Sequence, residues 1–277
     1  MSTATTSGTP VSTFVPSGSG LTFGGSLRSE WIKLRTVRST IWSYATVIVI
    51  SLGMAALMSL ALNLGGSEVP TGRHAAFLAQ AGTFGVFFSQ LVVAVLGVLA
   101  ISGEYSTGMI RSSLTAVPKR LPMLAAKAVI LFLCTFVVGA ISTFASALVA
   151  TPILAGQGIT ASFADPDLFL PLLGGALYLA LVAVFSLGVG AILRSSAGGI
   201  AAALGIVLLL PIVLMMIPAD WAADVQPYLL SNAGLAIFGL SVFVPITLEV
   251  WQNILVTVAW VVAALAAAAV LLKCRDA

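Results

Sequence analysis

Apolar residues gather along this chain in six blocks, at about 40–62, 78–101, 123–150, 169–193, 198–217 and 250–272, with short polar stretches between them. The blocks do not alternate apolar with polar at period two, as the strands of a membrane barrel would. Each is long enough to cross the ~30 Å hydrocarbon core, which takes about 20 helical residues. Lipid offers no partner to an open backbone group, so such a block crosses as a helix. The pattern predicts an all-α membrane protein with six transmembrane helices. Only Arg194–Ala197 separate the fourth block from the fifth, which predicts a tight hairpin. Pro211 inside the fifth predicts a kink, since it removes one backbone donor and crowds the preceding turn. The connection from Pro218 to Val250 is long and partly apolar, notably Pro227–Pro245. One or two short helices that dip into the membrane without crossing are expected there. A seventh crossing would strand Lys273 and Arg275 on the side that holds almost no other cation.

The chain before the first block changes character at Ser26. Residues 1–25 are rich in Ser, Thr, Gly and Pro, carry no charged side chain, and lack the basic and apolar regions of a secretory signal. They read as a disordered leader to a 26–277 transmembrane domain. From there Leu27, Trp31 and Leu34 recur at helical spacing among Arg28, Glu30, Lys33 and Arg35. That is an amphipathic helix suited to lying on a membrane surface; the plainer alternative is a basic flank of the first span.

Composition strengthens the membrane reading. Apolar residues make up 60% of the 277 and charged ones 8%, with a mean hydropathy of +1.14, whereas soluble domains carry roughly 25% charged residues. The placement of the few charges sets the orientation. With the N-terminus inside, Arg28, Lys33, Arg35, Arg38, Arg111, Lys119, Arg120, Lys127, Arg194, Lys273 and Arg275 fall on the cytoplasmic side and Arg73 alone falls outside. Glu68, Asp165, Asp167, Asp220, Asp224 and Glu249 lie outside as well. Six spans with both termini cytoplasmic is the arrangement this distribution supports.

Intrinsic catalysis is not expected. The chain has no G-x-x-x-x-G-K-[ST] phosphate loop and no G-x-S-x-G elbow. Its one histidine, His74, has no acidic or thiol neighbour at ligand spacing. Cys134 and Cys274 form no metal or disulfide pattern. A net charge of +3 gives no reason to expect nucleic acid. No ionisable residue falls near the middle of a block, and Lys127 sits about one turn inside the third. Ion-coupled carriers place such groups within their spans, so energy for any transport is expected from outside the membrane part. Gln90 and Ser89 in the second block could line a cavity or could hydrogen-bond a neighbouring helix. Ser195, Gly199 and Ala203 form a small-residue stripe on the fifth, whose partner, in this chain or a second copy, the pattern leaves open.

The most distinctive polar stretch is the loop Gly103–Arg120. Ile110, Leu114, Val117 and Leu121 would share one helix face, with Pro118 ending or bending it. This suits the docking of a cytosolic partner, or an ordinary basic loop held by lipid headgroups. Its residues Glu104, Tyr105, Gly108, Ile110, Leu114, Ala116, Pro118 and Arg120, followed by Lys127, resemble the first cytoplasmic loop of type-two ATP-binding-cassette (ABC) permeases, the membrane subunits of bacterial exporters. The opening Glu30–Thr40, the stretch Pro227–Gly234 and the ending Leu271–Ala277 are similar to those of such permeases in high-GC Gram-positive bacteria.

The resemblance implies a multi-pass permease of a bacterial cell membrane, paired with a second permease copy as a homodimer or with a related permease, and surrounded by membrane lipid. Cytosolic ABC ATPase subunits beneath it would hold ATP and magnesium, with no cofactor in this chain. Glu104, Tyr105, Gly108, Ile110, Arg111, Leu114, Pro118 and Arg120 would form the coupling helix against the ATPase. Leu27, Trp31, Leu34 and Arg35 would belong to an N-terminal interface helix. The reading from a different class is a non-transport membrane sensor or assembly factor that recruits a cytosolic partner through the same basic loop.

Overall fold

The structure is a computed structural model that describes residues 23–64, 70–106, 120–242 and 245–274. Among the described residues it is helical throughout, without strands, and six helices are long and apolar enough to cross a membrane: Arg38–Leu62, His74–Tyr105, Leu121–Ala155, Pro166–Leu193, Ser196–Met215 and Val250–Cys274. A shorter helix, Phe23–Thr36, precedes the first span and is separated from it by a break at Val37.

Local chemistry sets the ends of these helices. The fourth span starts behind Asp165, whose carboxylate accepts from the Asp167 N–H at 3.0 Å, with Pro166 in the first turn. It stops at Arg194, which adopts the left-handed conformation at φ 51°. Ser195 then caps the fifth span by accepting from the Gly198 N–H at 3.3 Å. The expected hairpin is therefore a two-residue turn. In the fifth span the helix widens into a π turn over Gly205–Leu209 and resumes as Leu210–Met215. The extra room lies immediately before Pro211, whose ring would crowd a regular turn. The second span departs from the apolar pattern: it is two helices, His74–Thr83 and Val86–Ser106, broken at Phe84 and Gly85. At Gly85 the chain lies so close to the first span that a Cβ would sit 2.5 Å from Ser51 Cα.

Pairs of contacts give the direction of each helix. Ser89 bonds to Val47 and Gly85 abuts Ser51, so the first two spans run antiparallel. Tyr44 meets Thr135 and Leu62 meets Gln157, so the first and third run together. Gln90 meets Tyr178 and Val98 meets Gly190, which makes the second and fourth parallel. Phe185 packs on Trp260 and Gly188 on Ala264, so the sixth follows the fourth. Ser196 meets Ser102 and Gly199 meets Val98, so the fifth opposes the second. Direction thus alternates, and the N-terminal helix and the end of the sixth span emerge at the same end of the bundle.

The fourth span is the hub. Of its apolar window 83% is buried by protein, against 22%, 28% and 22% for the first, fifth and sixth. Glycines bring neighbours onto it: a Cβ on Gly97 would lie 2.2 Å from the Ala183 carbonyl oxygen. The stripe on the fifth span finds its partner in the same chain, because Gly199 packs against Val98 and Gly190.

Between the fifth and sixth spans stand two short helices, Asp220–Val225 and Leu230–Ala236, joined by a 3-10 turn at Gln226–Tyr228. Residues from Leu229 to Phe238 are buried. Their irregular backbone is tolerable beside spanning helices because protein groups satisfy it. Gln226 Nε2 donates to the Pro211 carbonyl at 3.0 Å, Asn232 Nδ2 to the Gln226 carbonyl at 2.8 Å, and Trp260 Nε1 to the Tyr228 carbonyl at 2.9 Å.

Candidate functional site

The N-terminal helix turns Leu27, Glu30, Lys33 and Leu34 toward the bundle and leaves Trp31 and Arg35 exposed. These inward residues recur three or four apart, so they stack on one face. Two of them are charged, and both find partners at the end of the second span and the start of the third. Lys33 Nζ lies 3.0 Å from Glu30 Oε1 and 2.9 Å from Glu104 Oε1. Lys127 Nζ lies 2.6 Å from Glu30 Oε2 and 2.9 Å from Glu104 Oε1. The four form a closed ring of alternating sign, Glu30–Lys33–Glu104–Lys127, that joins three helices.

Burial makes the ring matter. Glu30, Glu104 and Lys127 are 4%, 6% and 5% exposed. A charge at such a site is costly unless it is paired and hydrogen-bonded; each lysine here meets two carboxylates and each carboxylate two lysines. Lys33 is the member nearest solvent. Burial works against its ammonium, but hydrogen bonds to Glu104 and Glu30 and their negative charges outweigh it, holding its pKa above the ordinary lysine value of 10.5. One oxygen of the ring, Glu104 Oε2, is buried with no hydrogen-bond partner among the described residues.

The neighbours of Glu104 extend the junction. The Arg194 guanidinium lies over the Tyr105 ring, 5.5 Å from its centre, a cation–π contact. Ser196 Oγ donates to Ser102 Oγ at 2.9 Å. Through Glu104, Tyr105 and Ser102, the last turns of the second span thus touch the N-terminal helix, the third span and the turn between the fourth and fifth. Of the other loop residues singled out in the sequence, Gly108, Ile110, Arg111, Leu114 and Pro118 lie outside the described residues. Arg120 opens the third helix.

Gln90 and Ser89 sit deeper and are fully buried. The Tyr178 hydroxyl donates to Gln90 Oε1, and Ser89 Oγ shares a hydrogen bond of 3.1 Å with Ser51 Oγ. Both residues hold helices together in this conformation. Neither lines the large cleft of the molecule, which opens at the far end between the second, third, fourth and sixth spans and the segment after the fifth.

The sequence reading missed the ring, although two signals pointed to it. Glu30 and Lys33 fall on the same helix face as Leu27 and Leu34, and Lys127 lies inside an apolar block where a charge calls for a partner. Among the described residues no group of acidic, thiol and imidazole side chains is placed to hold a metal ion.

Six apolar helices of this length place the chain in the class of multi-pass helical membrane proteins. Neither the family models nor the curated proteins compared with it give a match.

Proposed function

We propose that the chain is the membrane-spanning permease subunit of an ATP-driven ABC exporter, acting as a homodimer above two cytosolic ATPase subunits that carry ATP and magnesium. In this reading the ring end of the bundle, which holds every cation of the described residues except Arg73, faces the cytoplasm. The observation that carries the proposal is the position of Glu104. It opens the loop pattern that resembles the permease coupling region, and it is the residue on which the N-terminal helix and the third span converge. A partner that pushes on the loop after Ser106 would move three helices as one body, since pulling the second or third span from the ring leaves Glu104 or Lys127 as a buried charge without its partners, and pulling away the N-terminal helix breaks two ion pairs. The sequence, with no phosphate loop and no Asp, Glu, His, Lys or Arg near the middle of a block, supports an energy source outside the chain.

The test is to purify the chain from its own membrane together with any ATPase subunit that accompanies it, and to reconstitute the two in vesicles loaded with a fluorescent amphipathic dye. The expected result is co-purification and ATP-dependent dye movement. Leu114→Pro and Glu104→Gln should leave ATP hydrolysis running while flux falls at least tenfold. Dye movement by the chain alone on a proton or sodium gradient would sink the proposal. So would recruitment of a cytosolic protein with no ATP-dependent flux, which is the behaviour of a sensor or assembly factor.

A further inference from the structure

The open cleft at the far end of the bundle has a volume of about 1090 Å³, just above the range of small-molecule sites, roughly 300–1,000 Å³. Its two charged lining residues lie at one end, and Gln80 is a further polar group along the wall. Arg73, at the start of the second span, and Asp167, in the first turn of the fourth, stand at the mouth, and both are exposed. Neither forms an ion pair among the described residues. The Arg73 guanidinium lies 5.7 Å from the centre of the Phe77 ring, at the upper edge of the apolar wall. Below the mouth Phe77, Phe136, Leu177 and Ile254 provide a lining from four different spans.

Depth selects the ligand. From Asp167 to Leu177 the fourth span descends about 15 Å at 1.5 Å per residue, half of the ~30 Å hydrocarbon core. The cleft is as deep as one leaflet. Charge selects the headgroup. A simple anion would gain Arg73 and be repelled by Asp167, and a simple cation would suffer the reverse. A group that carries both charges side by side satisfies both. A water-soluble zwitterion would leave the apolar walls uncovered, and an apolar molecule would leave both charges at the mouth without a partner.

We infer that the cleft binds one molecule of a zwitterionic glycerophospholipid. Its phosphate meets Arg73, its ammonium meets Asp167, and its acyl chains lie along Phe77, Phe136, Leu177 and Ile254. The inference stands apart from the permease reading, since binding is measured on the chain without any ATPase and transport is measured separately.

Native mass spectrometry of the full chain in mild detergent tests it, with phosphatidylethanolamine, phosphatidylglycerol and diacylglycerol of identical acyl chains as probes. The expected result is one phosphatidylethanolamine per chain, held at least tenfold more tightly than either other lipid. Arg73→Gln and Asp167→Asn should each reduce that preference to less than twofold. Ile254→Trp, which fills the cleft, should abolish retention of all three. Wild-type selectivity decides the matter even if the bulky variant fails to fold. Equal retention of the three lipids by the wild type would overturn the inference, since it marks a general lipid coat. Disulfide cross-linking of Phe77→Cys between two chains, with no lipid retained, would overturn it in favour of a second copy as the occupant.

Discussion

At one end of the bundle four charges from three helices close into a ring, while at the other Arg73 and Asp167 line the mouth of an open cleft without an ion pair among the described residues. The difference lies in how each end meets its charge. In the ring every charge is neutralised by a neighbour in the chain, so it can be buried, and burial fixes the helices. At the cleft the charges stay exposed and the helices part. In the proposed function the ring end serves as the handle, and in the lipid inference the cleft end is the receptor.

The strongest test of the handle is Lys127→Met, which keeps the length of the side chain and removes its charge. Glu30 and Glu104 would then share only the half-buried Lys33. Removing one partner of a buried pair costs about 3–5 kcal/mol, so unfolding in denaturant or detergent should shift by that much. Adding Glu30→Gln to Lys127→Met should recover part of the loss, with a coupling well above the roughly 0.5 kcal/mol scatter of independent sites. If Lys127→Met unfolds like the wild type, the ring does not hold this end together.

The next effect concerns backbone approach. Gly97→Ala would place a methyl 2.2 Å from the Ala183 carbonyl, and the second and fourth spans must separate to admit it. Overpacking of this kind costs about 1–3 kcal/mol. Gly53→Ala is the matching control, since nothing lies within 4 Å of its Cβ position on the first span, and helix propensity alone favours alanine by up to about 1 kcal/mol. Opposite signs for the two changes in a thermal melt would support the packing account. Equal signs would break it.

How far these features can be read from sequence depends on what sets them. The six spans are legible because bilayer thickness imposes a length and a composition on each, and the Arg194–Ala197 turn is legible because almost nothing remains between two blocks. A disturbance of the helix near Pro211 follows from its missing donor, though its form as a π turn does not. The break at Phe84–Gly85 is hidden, since its cause is a first-span residue, Ser51, distant in sequence. The ring is half legible. Lys127 stands out as a charge within a block, but Glu30 looks like part of a solvated face until the third span covers it. The hydrogen bond of Gln90 to Tyr178 is not legible, because the apolar pattern of the fourth span does not distinguish Tyr178 from its neighbours.

Lys33 gives the comparison a pH dependence. Its folded pKa lies above 10.5, so the protonated form is favoured in the fold. The stability it contributes is therefore fully present below the ordinary lysine value and is lost as pH rises through the raised one. The N-terminal helix should stay docked through neutral pH and loosen only in strongly alkaline solution. Fluorescence of Trp31, read against a Trp31→Phe control, should report that transition. In Lys33→Met the alkaline step should be absent. Loosening between pH 6 and 9 would contradict the assignment of the ring charges.

The smallest effects belong to the cleft, and their smallness is the point of the contrast. Arg73 and Asp167 are exposed, and substitutions at such sites usually change stability by less than about 0.5 kcal/mol. In lipid-free detergent Arg73→Gln and Asp167→Asn should melt with the wild type. A ligand that binds only the folded form adds stability through its concentration relative to its Kd. Phosphatidylethanolamine should therefore raise the melting temperature of the wild type more than that of either variant. If the lipid raises all three melting temperatures equally, the two charges do not read its headgroup. If the variants already melt low without lipid, Arg73 and Asp167 are structural, and the two ends of the bundle are more alike than their geometry suggests.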